Sequence, residues 1–390
     1  MKIQGQIVLK KGREASARRF HPWIFSGAVH SMEGTPVDGD WVEVKDSSKK
    51  TLGFGHYQKG TITVRLLTFS TEPPAATIYK DKITQALNQR VFTKVINEKT
   101  NCYRLIHGEG DGLPALIIDV YNGVAVMQAH SIGMHNDRQL IAEAINNGIP
   151  GINSVYYKSQ NTLPGKSEKE YLLGMTTVPH ISLEHGNKFL IDWEEGQKTG
   201  FFLDQRENRK LVGEMSKGKT VLNTFCYTGG FSIYALAGGA ELVHSVDASQ
   251  KAIELTKQNL ELNGYDAIKH ASISEDTFEF LKDKKDVYDF IILDPPAFAK
   301  HKDARHQAMK GYQRLNAEAM RVIRPNGIIF TFSCSQVVDR QLFYDTVVSS
   351  AIQAGREIKV LDQLSQPADH PISIFHPEGD YLKGLVLYVN

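Results

Sequence analysis

The spacing of apolar positions divides this chain into three stretches. Through residues 1–70, short apolar runs recur at Gln6–Leu9, Asp40–Val44, Thr51–Gly55 and Thr61–Leu67, punctuated by Gly39, Gly53, Gly55 and Gly60. Runs of this length bounded by glycine predict short strands, here a small β-barrel. Gly12–Arg19 is a polar, basic connection with room for a short helix, and His21-Pro22-Trp23-Ile24-Phe25 sets aromatics beside it. Glu72-Pro73-Pro74 then reads as a linker. Ile78, Ile83, Leu87, Val91 and Val95 fall near helical spacing, which predicts a helix to about Asn97. Strands are predicted at Cys102–Ile106, Ala115–Tyr121 and Val124–Ala129, the last two joined by the hairpin signal Asn122-Gly123. A helix at 137–146 and a strand at Ser154–Tyr157 complete an α+β pattern, in which Gly108–Gly112 is a flexible acidic turn.

A hairpin on His185-Gly186-Asn187 leads into Gln197-Lys198-Thr199-Gly200-Phe201-Phe202-Leu203-Asp204-Gln205-Arg206 and a helix from Gln205 to Met215. From Thr220 the pattern becomes strand, helix, strand, helix. Val221–Thr224 is followed by a helix over Phe231–Ala237 and a strand ending at Asp247. Ser249 caps a helix that stops at Asn263-Gly264. A strand at Phe290–Leu293, a helix from about Gly311 to Ile323, a strand at Ile328–Phe332 and a helix over Arg340–Ala354 follow. This alternation predicts an α/β domain with a doubly wound, mostly parallel, Rossmann-like sheet. The expected domains are 1–72, a β-barrel; 73–184, α+β; and 185–390, the doubly wound part.

Composition narrows the class. The chain has 390 residues, 41% of them hydrophobic and 23% charged, with a net charge of +1, so overall charge names no partner. Residues 1–70 hold eleven Lys/Arg against six Asp/Glu, a locally basic surface suited to a polyanion. Basic residues interleaved with aromatics suit RNA, and Arg18, Arg19 and Trp23 are the contacts expected; Phe25 is expected in the core. Cys102, Cys226 and Cys334 are too far apart for a disulfide framework or a structural zinc site and fit a reducing cytoplasm. No signal peptide and no membrane span are expected.

The stretch Val221-Leu222-Asn223-Thr224-Phe225-Cys226-Tyr227-Thr228-Gly229-Gly230 is a buried strand running into a glycine turn. It carries neither G-x-G-x-x-G nor a G-x-x-x-x-G-K-[ST] loop, so it has no pyrophosphate cradle. The backbone can still approach a ligand closely there, with Asp247 placed for ribose hydroxyls and Asp276 near an adenine edge. Asp294-Pro295-Pro296-Ala297-Phe298 lines the mouth of the site. Acids at successive strand ends in this order resemble a class I S-adenosylmethionine-dependent methyltransferase.

Together with His21–Phe25, Gln197–Arg206, Phe225–Phe231, Ser333-Cys334-Ser335 and Tyr381-Leu382-Lys383-Gly384, these motifs resemble the RlmI family over essentially the whole chain. Members of that family methylate C5 of a cytosine in 23S ribosomal RNA. The resemblance implies an amino-terminal PUA domain, S-adenosyl-L-methionine as cofactor and 23S rRNA as partner; it leaves room for a homodimer. The cofactor is expected against Gln197, Phe201, Asn223, Phe225, Thr228, Gly229, Gly230, Asp247, Asp276, Asp294 and Pro295. Asn223 departs from the acid that many class I enzymes carry near the methionine amine.

Because C5 of cytosine is a poor nucleophile, a thiolate must first add to C6. Cys334, following a strand, is the candidate; Cys226 and Cys102 read as structural. Asp294 would hold the base near N3 and its exocyclic amine, and Phe298 would stack on it or pack in the core. Glu378 and solvent are both candidates for removing H5. Lys300, Lys302, Arg305 and Arg314, with neighbouring basic residues, are expected along the RNA backbone; Arg206 would border the cofactor or bind RNA. Two other functions fit parts of the pattern: methylation of a guanine nitrogen without a thiol, and a non-catalytic RNA-binding assembly factor.

Overall fold

In the computed structural model the described residues are all except Asn161, Pro164, Lys166, Ser167, Asp266 and Lys300, and Lys302 is described by its backbone alone. They form two compact units. The first holds residues 1–182, 191–201 and 368–379, and the second 183–190, 202–367 and 380–390.

The first unit opens with a six-stranded sheet in the order Trp23–Phe25, Ile62–Thr68, Thr51–Tyr57, Trp41–Lys45, Gly5–Leu9, Val29–Gly34. Alternate residues Ile7, Leu9, Val42, Val44, Val64 and Leu66 fill its interior with Ile24 and Ala17, as a two-residue period dictates. The strand Val29–Gly34 carried no signal in the sequence because nearly all of it is exposed. A five-stranded sheet follows, ordered Lys169–Leu173, Ser154–Lys158, Val124–Ala129, Leu116–Tyr121, Cys102–His107. Asn122 (φ 44°) and Gly123 (φ 86°) make its predicted hairpin turn. The helices Ile78–Phe92 and Arg138–Gly148 bury Ile83, Ile141 and Ile145 with this sheet, and Trp41, Phe54 and Leu67 of the barrel join the same core. The first helix stops at Phe92 rather than near Asn97, where Lys94 turns left-handed at φ 58°. The Gly108–Asp111 turn is pinned rather than flexible. Asp111 takes two bonds from the fully buried Arg90 guanidinium, at 2.5 and 2.7 Å.

The second unit is built on a seven-stranded sheet ordered His270–Ser274, Leu242–Asp247, Thr220–Thr224, Phe290–Leu293, Gly327–Ser333, Lys383–Val389, Ile358–Leu364. The first five strands are parallel. Lys383–Val389 runs antiparallel to both of its neighbours. The sequence had not revealed this terminal pair: a long connection separates its strands, and Leu385–Val389 is a continuous apolar run without alternation. The helix Arg305–Val322 buries Ala308, Tyr312, Leu315, Asn316, Ala319 and Met320, a stripe with helical period. It begins six residues earlier than expected, so Arg305 and Lys310 stand on a helix and not in a loop.

Candidate active site

Strand order reverses between Thr220–Thr224 and Phe290–Leu293. From the former the chain winds out to Leu242–Asp247 and His270–Ser274, then returns to the latter. A doubly wound sheet opens a crevice at the carboxyl ends of such a pair. Phe225-Cys226-Tyr227-Thr228-Gly229 leaves one of these strands and Asp294-Pro295 the other.

The turn is held in an unusual backbone path. Phe225 (φ 54°), Tyr227 (φ 48°) and Gly229 (φ 76°) are all left-handed, which is costly for the two aromatic residues. Backbone bonds and neighbours over-determine it. Cys226 N–H donates to the Val246 carbonyl at 3.2 Å and Gly229 N–H to Cys226 at 2.8 Å. Thr256 and Asn259, on the helix Gln250–Leu262, donate to the carbonyls of Tyr227 and Thr228, each at 3.0 Å. Glycine is required at 229, where a Cβ would come within 2.7 Å of Thr256.

The half-buried Asp247 accepts the Tyr227 N–H through Oδ2 at 3.0 Å and the Ser249 N–H through Oδ1 at 2.9 Å. Each oxygen keeps lone-pair capacity for ribose hydroxyls. Asp276 is exposed and caps the short helix Thr277–Leu281, accepting from the N–H groups of Phe278 and Glu279. Asn223 is buried. Its amide donates to Ser232 Oγ at 2.9 Å, and Ser232, Ser245 and His270 continue the chain of hydrogen bonds. This ties the strand to the first turn of Gly230–Ala237 and gives Asn223 a structural task that the sequence did not show.

Asp294 receives the Gln205 amide at 2.9 Å, and Asn208 orients that amide at 2.6 Å. The Tyr312 hydroxyl responds to Asp294 and Cys334 together: burial chiefly, with a contribution from each, pushes it up to about 12. Asp294, Cys334 and Tyr312 therefore share one neighbourhood. Phe298 packs on Tyr312 with ring centroids 4.6 Å apart and against Gly311, the core alternative of its two expected roles. Pro295 is buried behind the acid. Of the three cysteines, Cys102 and Cys226 are buried and only Cys334 is partly open. Burial pushes the Cys226 thiol up to about 12, so it stays protonated.

Gln197 and Phe201 belong to the first unit, where their loop is fastened to the five-stranded sheet. Thr199 donates to Asp119 at 2.5 Å and Lys158 to the Gly196 carbonyl at 2.8 Å; Gln197 is exposed and Phe201 buried. Arg206 is fully buried, which removes it as a surface contact for RNA. Arg19 is exposed, whereas Arg18 is paired with Asp46 at 2.5 Å. Trp23 is half-buried; its indole donates to Glu109 at 2.9 Å and meets His376 edge-to-face, with ring centroids 4.4 Å apart. Phe25, expected in the core, is 41% exposed. Arg305 and Arg314 are exposed, Arg314 lying 4.6 Å over Phe278; Lys300 and the Lys302 side chain lie outside the described residues.

Glu378 faces His21 (3.6 Å) and His376 (3.7 Å) in the first unit. His21 Nδ1 accepts the Trp23 N–H, which puts the proton of a neutral ring on Nε2, toward Glu378. That tautomer turns the His21 Nε2–H toward Glu378 and leaves this nitrogen no lone pair for a metal.

The left-handed turn with its Asp247, and the absence of any phosphate-cradling loop, fit a nucleoside joined to a non-phosphate group, as in S-adenosylmethionine. The comparisons with known proteins agree. A family model described as an S-adenosylmethionine-dependent methyltransferase matches residues 152–380, and one described as a PUA-like domain matches residues 7–69. The chain is 39% identical to "Ribosomal RNA large subunit methyltransferase I" of Aeromonas hydrophila subsp. hydrophila over 99% of both chains. It is 40% identical to the protein of that name from Aeromonas salmonicida and 38% to that from Klebsiella pneumoniae, over 98% of each chain in both cases. Among solved structures it superposes on a putative methyltransferase complexed with SAH with a TM-score of 0.85 at 23% identity, each chain covered in full. A putative SAM-dependent methyltransferase from Streptococcus mutans gives 0.84 at 22% identity, with the same coverage.

Proposed function

Because this chain belongs to the ribosomal RNA large subunit methyltransferase I family of S-adenosylmethionine-dependent enzymes, we propose that it methylates C5 of a cytosine in 23S ribosomal RNA through a covalent cysteine adduct at C6. One observation carries the assignment of the thiol. Of the three cysteines only Cys334 is partly open, and it shares the surroundings of Asp294 at the carboxyl edge of the sheet.

The residues divide the work as follows. The turn from Phe225 to Gly230 and Asp247 hold the nucleoside of the methyl donor, with Asp276 as a further border. Bound S-adenosylmethionine supplies an electrophilic methyl group on its sulfonium. Asp294, oriented by Gln205, holds the flipped base by its polar edge. Cys334 Sγ bonds to C6, and the electrons of the C5–C6 double bond make C5 the nucleophile. After transfer, H5 leaves as a proton to a base. The C5–C6 double bond re-forms, and the C6–S bond breaks to return the thiolate.

The barrel of residues 1–72 and the basic face at Arg305, Lys310 and Arg314 are the RNA-holding parts of this reading. Residues 73–184 form the middle domain and 185–390 the catalytic one. The enzyme acts in the cytoplasm, where its substrate is made.

The test is Cys334→Ala with rRNA lacking the modification. Methyl transfer is expected to vanish while S-adenosylmethionine binding persists. RNA carrying 5-fluorocytosine should trap the wild-type enzyme covalently and leave the variant free. Near-normal turnover by the variant would reject the thiol mechanism and favour methylation of a base nitrogen.

A further inference from the structure

Lys383 opens the antiparallel strand Lys383–Val389 and stands opposite Ser333 in its ladder with Gly327–Ser333. It is 2% exposed. An ammonium group is not buried without a return, because its hydration must be replaced. Here the replacement is two backbone carbonyls: Nζ donates to Ser335 and to Tyr381, each at 2.7 Å. Among the described residues no carboxylate pairs with it. Its strand position faces the residue before Cys334, and its head group grips the residue after it.

We propose that Lys383 is a positioning residue for the nucleophile: its ammonium clamps the Ser333-Cys334-Ser335 turn and stabilises the Cys334 thiolate. The inference rests on the reading of Cys334 as the nucleophile. The turn is otherwise held by the Ser335 hydroxyl, which donates to the Ala299 carbonyl at 2.7 Å. That bond fixes the chain and supplies no charge. A cation beside a thiol favours its ionised form, and the effect is strongest where water is excluded.

The charged and titratable surroundings are consistent with this role. Asp380 and Arg340 act on Lys383 and pair with each other at 3.2 Å. Asp339, which also acts on Lys383, is occupied capping the helix Arg340–Ala354. Tyr312 and Asp294 approach from the helix Arg305–Val322 and the strand end; Tyr312 stays neutral and Asp294 accepts from Gln205. Burial lowers Lys383 to about 8, against the opposing pull of Asp380 and Cys334. It therefore stays mostly protonated near neutrality and loses its charge as the pH passes that value.

The experiment is the pH dependence of Cys334 alkylation by iodoacetamide in the full chain, read by peptide mass spectrometry, with thermal melting as the check on folding. In Lys383→Met the midpoint is expected to rise by at least one unit, so that alkylation at neutral pH falls about 10-fold. Lys383→Arg is expected to restore the midpoint. A Lys383→Met protein that melts like the wild type and keeps the wild-type midpoint would overturn the proposal. Should that variant fail to fold, Lys383→Gln and Lys383→Arg decide, since both keep donors and one keeps the charge; equal midpoints overturn it. The readout needs no methyl transfer, so an active Cys334→Ala enzyme would reject the nucleophile assignment while leaving the alkylation result to stand or fall separately.

Discussion

Asp247 Oδ2 accepts the backbone N–H of Tyr227 at 3.0 Å, joining the end of one strand to the left-handed turn of its neighbour. The same carboxylate thus shapes the turn and is the proposed partner of the ribose. Asp247→Ala removes both contributions. A hydrogen bond to a charged group is worth about 1.5–3 kcal/mol, so S-adenosylmethionine is expected to bind roughly 10- to 100-fold more weakly. Titration calorimetry measures this directly, and unchanged affinity would remove Asp247 from the site.

A buried ion pair supports the turn from below. Arg209 meets Glu184 through two bonds, Nε to Oε1 at 2.8 Å and Nη2 to Oε2 at 2.7 Å, with both side chains almost wholly buried. The arginine stem also lies against Gly230, where a Cβ would come within 2.9 Å of Arg209 Cδ. Arg209→Met leaves the glutamate charge buried and uncompensated, a loss of about 3–5 kcal/mol. Urea unfolding is expected to show it, and the double variant Arg209→Met/Glu184→Leu is expected to recover part of the loss.

The doubly wound sheet was legible because strand and helix periods differ and because glycine and serine mark the helix ends: Ser249 caps as expected, accepting the Ala252 N–H. The glycine turn was legible as a place of close approach. The aromatic roles in the barrel were not. Trp23 and Phe25 are two residues apart on one strand, and nothing local says that Glu109 and His376, distant in sequence, receive the tryptophan. Lys383 was visible only as a motif letter, since its burial depends on an antiparallel strand that has no alternating pattern. The bond from Asn223 to Ser232 was hidden for a similar reason: Ser232 comes from another element, and Ser245 beyond it from a third.

Asp137 predicts a pH dependence in the first unit. Its Oδ2 accepts from Trp41 Nε1 at 3.1 Å and from the Tyr79 hydroxyl at 2.5 Å, and lies 3.1 Å from His56 Nε2. Burial alone would raise this carboxyl, but the bonds and charge of His56, with Tyr79 and Trp41, outweigh it and hold it below its ordinary value of 3.8. A lowered folded-state value means stability that is present above the unfolded value and is lost as pH falls through the folded one. Asp137→Asn is therefore expected to destabilise the protein at neutral pH, with the difference from wild type shrinking in acid below about pH 4. Chemical denaturation at neutral and acid pH, followed by tryptophan fluorescence, checks this; a constant difference would refute it.

The helix Arg305–Val322 carries the last prediction. Arg305, Lys310 and Arg314 are exposed along it. Each phosphate neutralised adds about 0.9 to the slope of log affinity against log salt. Replacing all three by Gln, a good helix former, leaves the buried stripe of this helix intact. The salt slope for an rRNA fragment is expected to fall by roughly one for each phosphate no longer neutralised, while S-adenosylmethionine affinity stays unchanged. Arg314 already rests on Phe278, so Arg305→Gln and Lys310→Gln should have the larger effects singly. Fluorescence anisotropy over a salt series measures the slope, and an unchanged slope in the triple variant would place the RNA elsewhere on the protein.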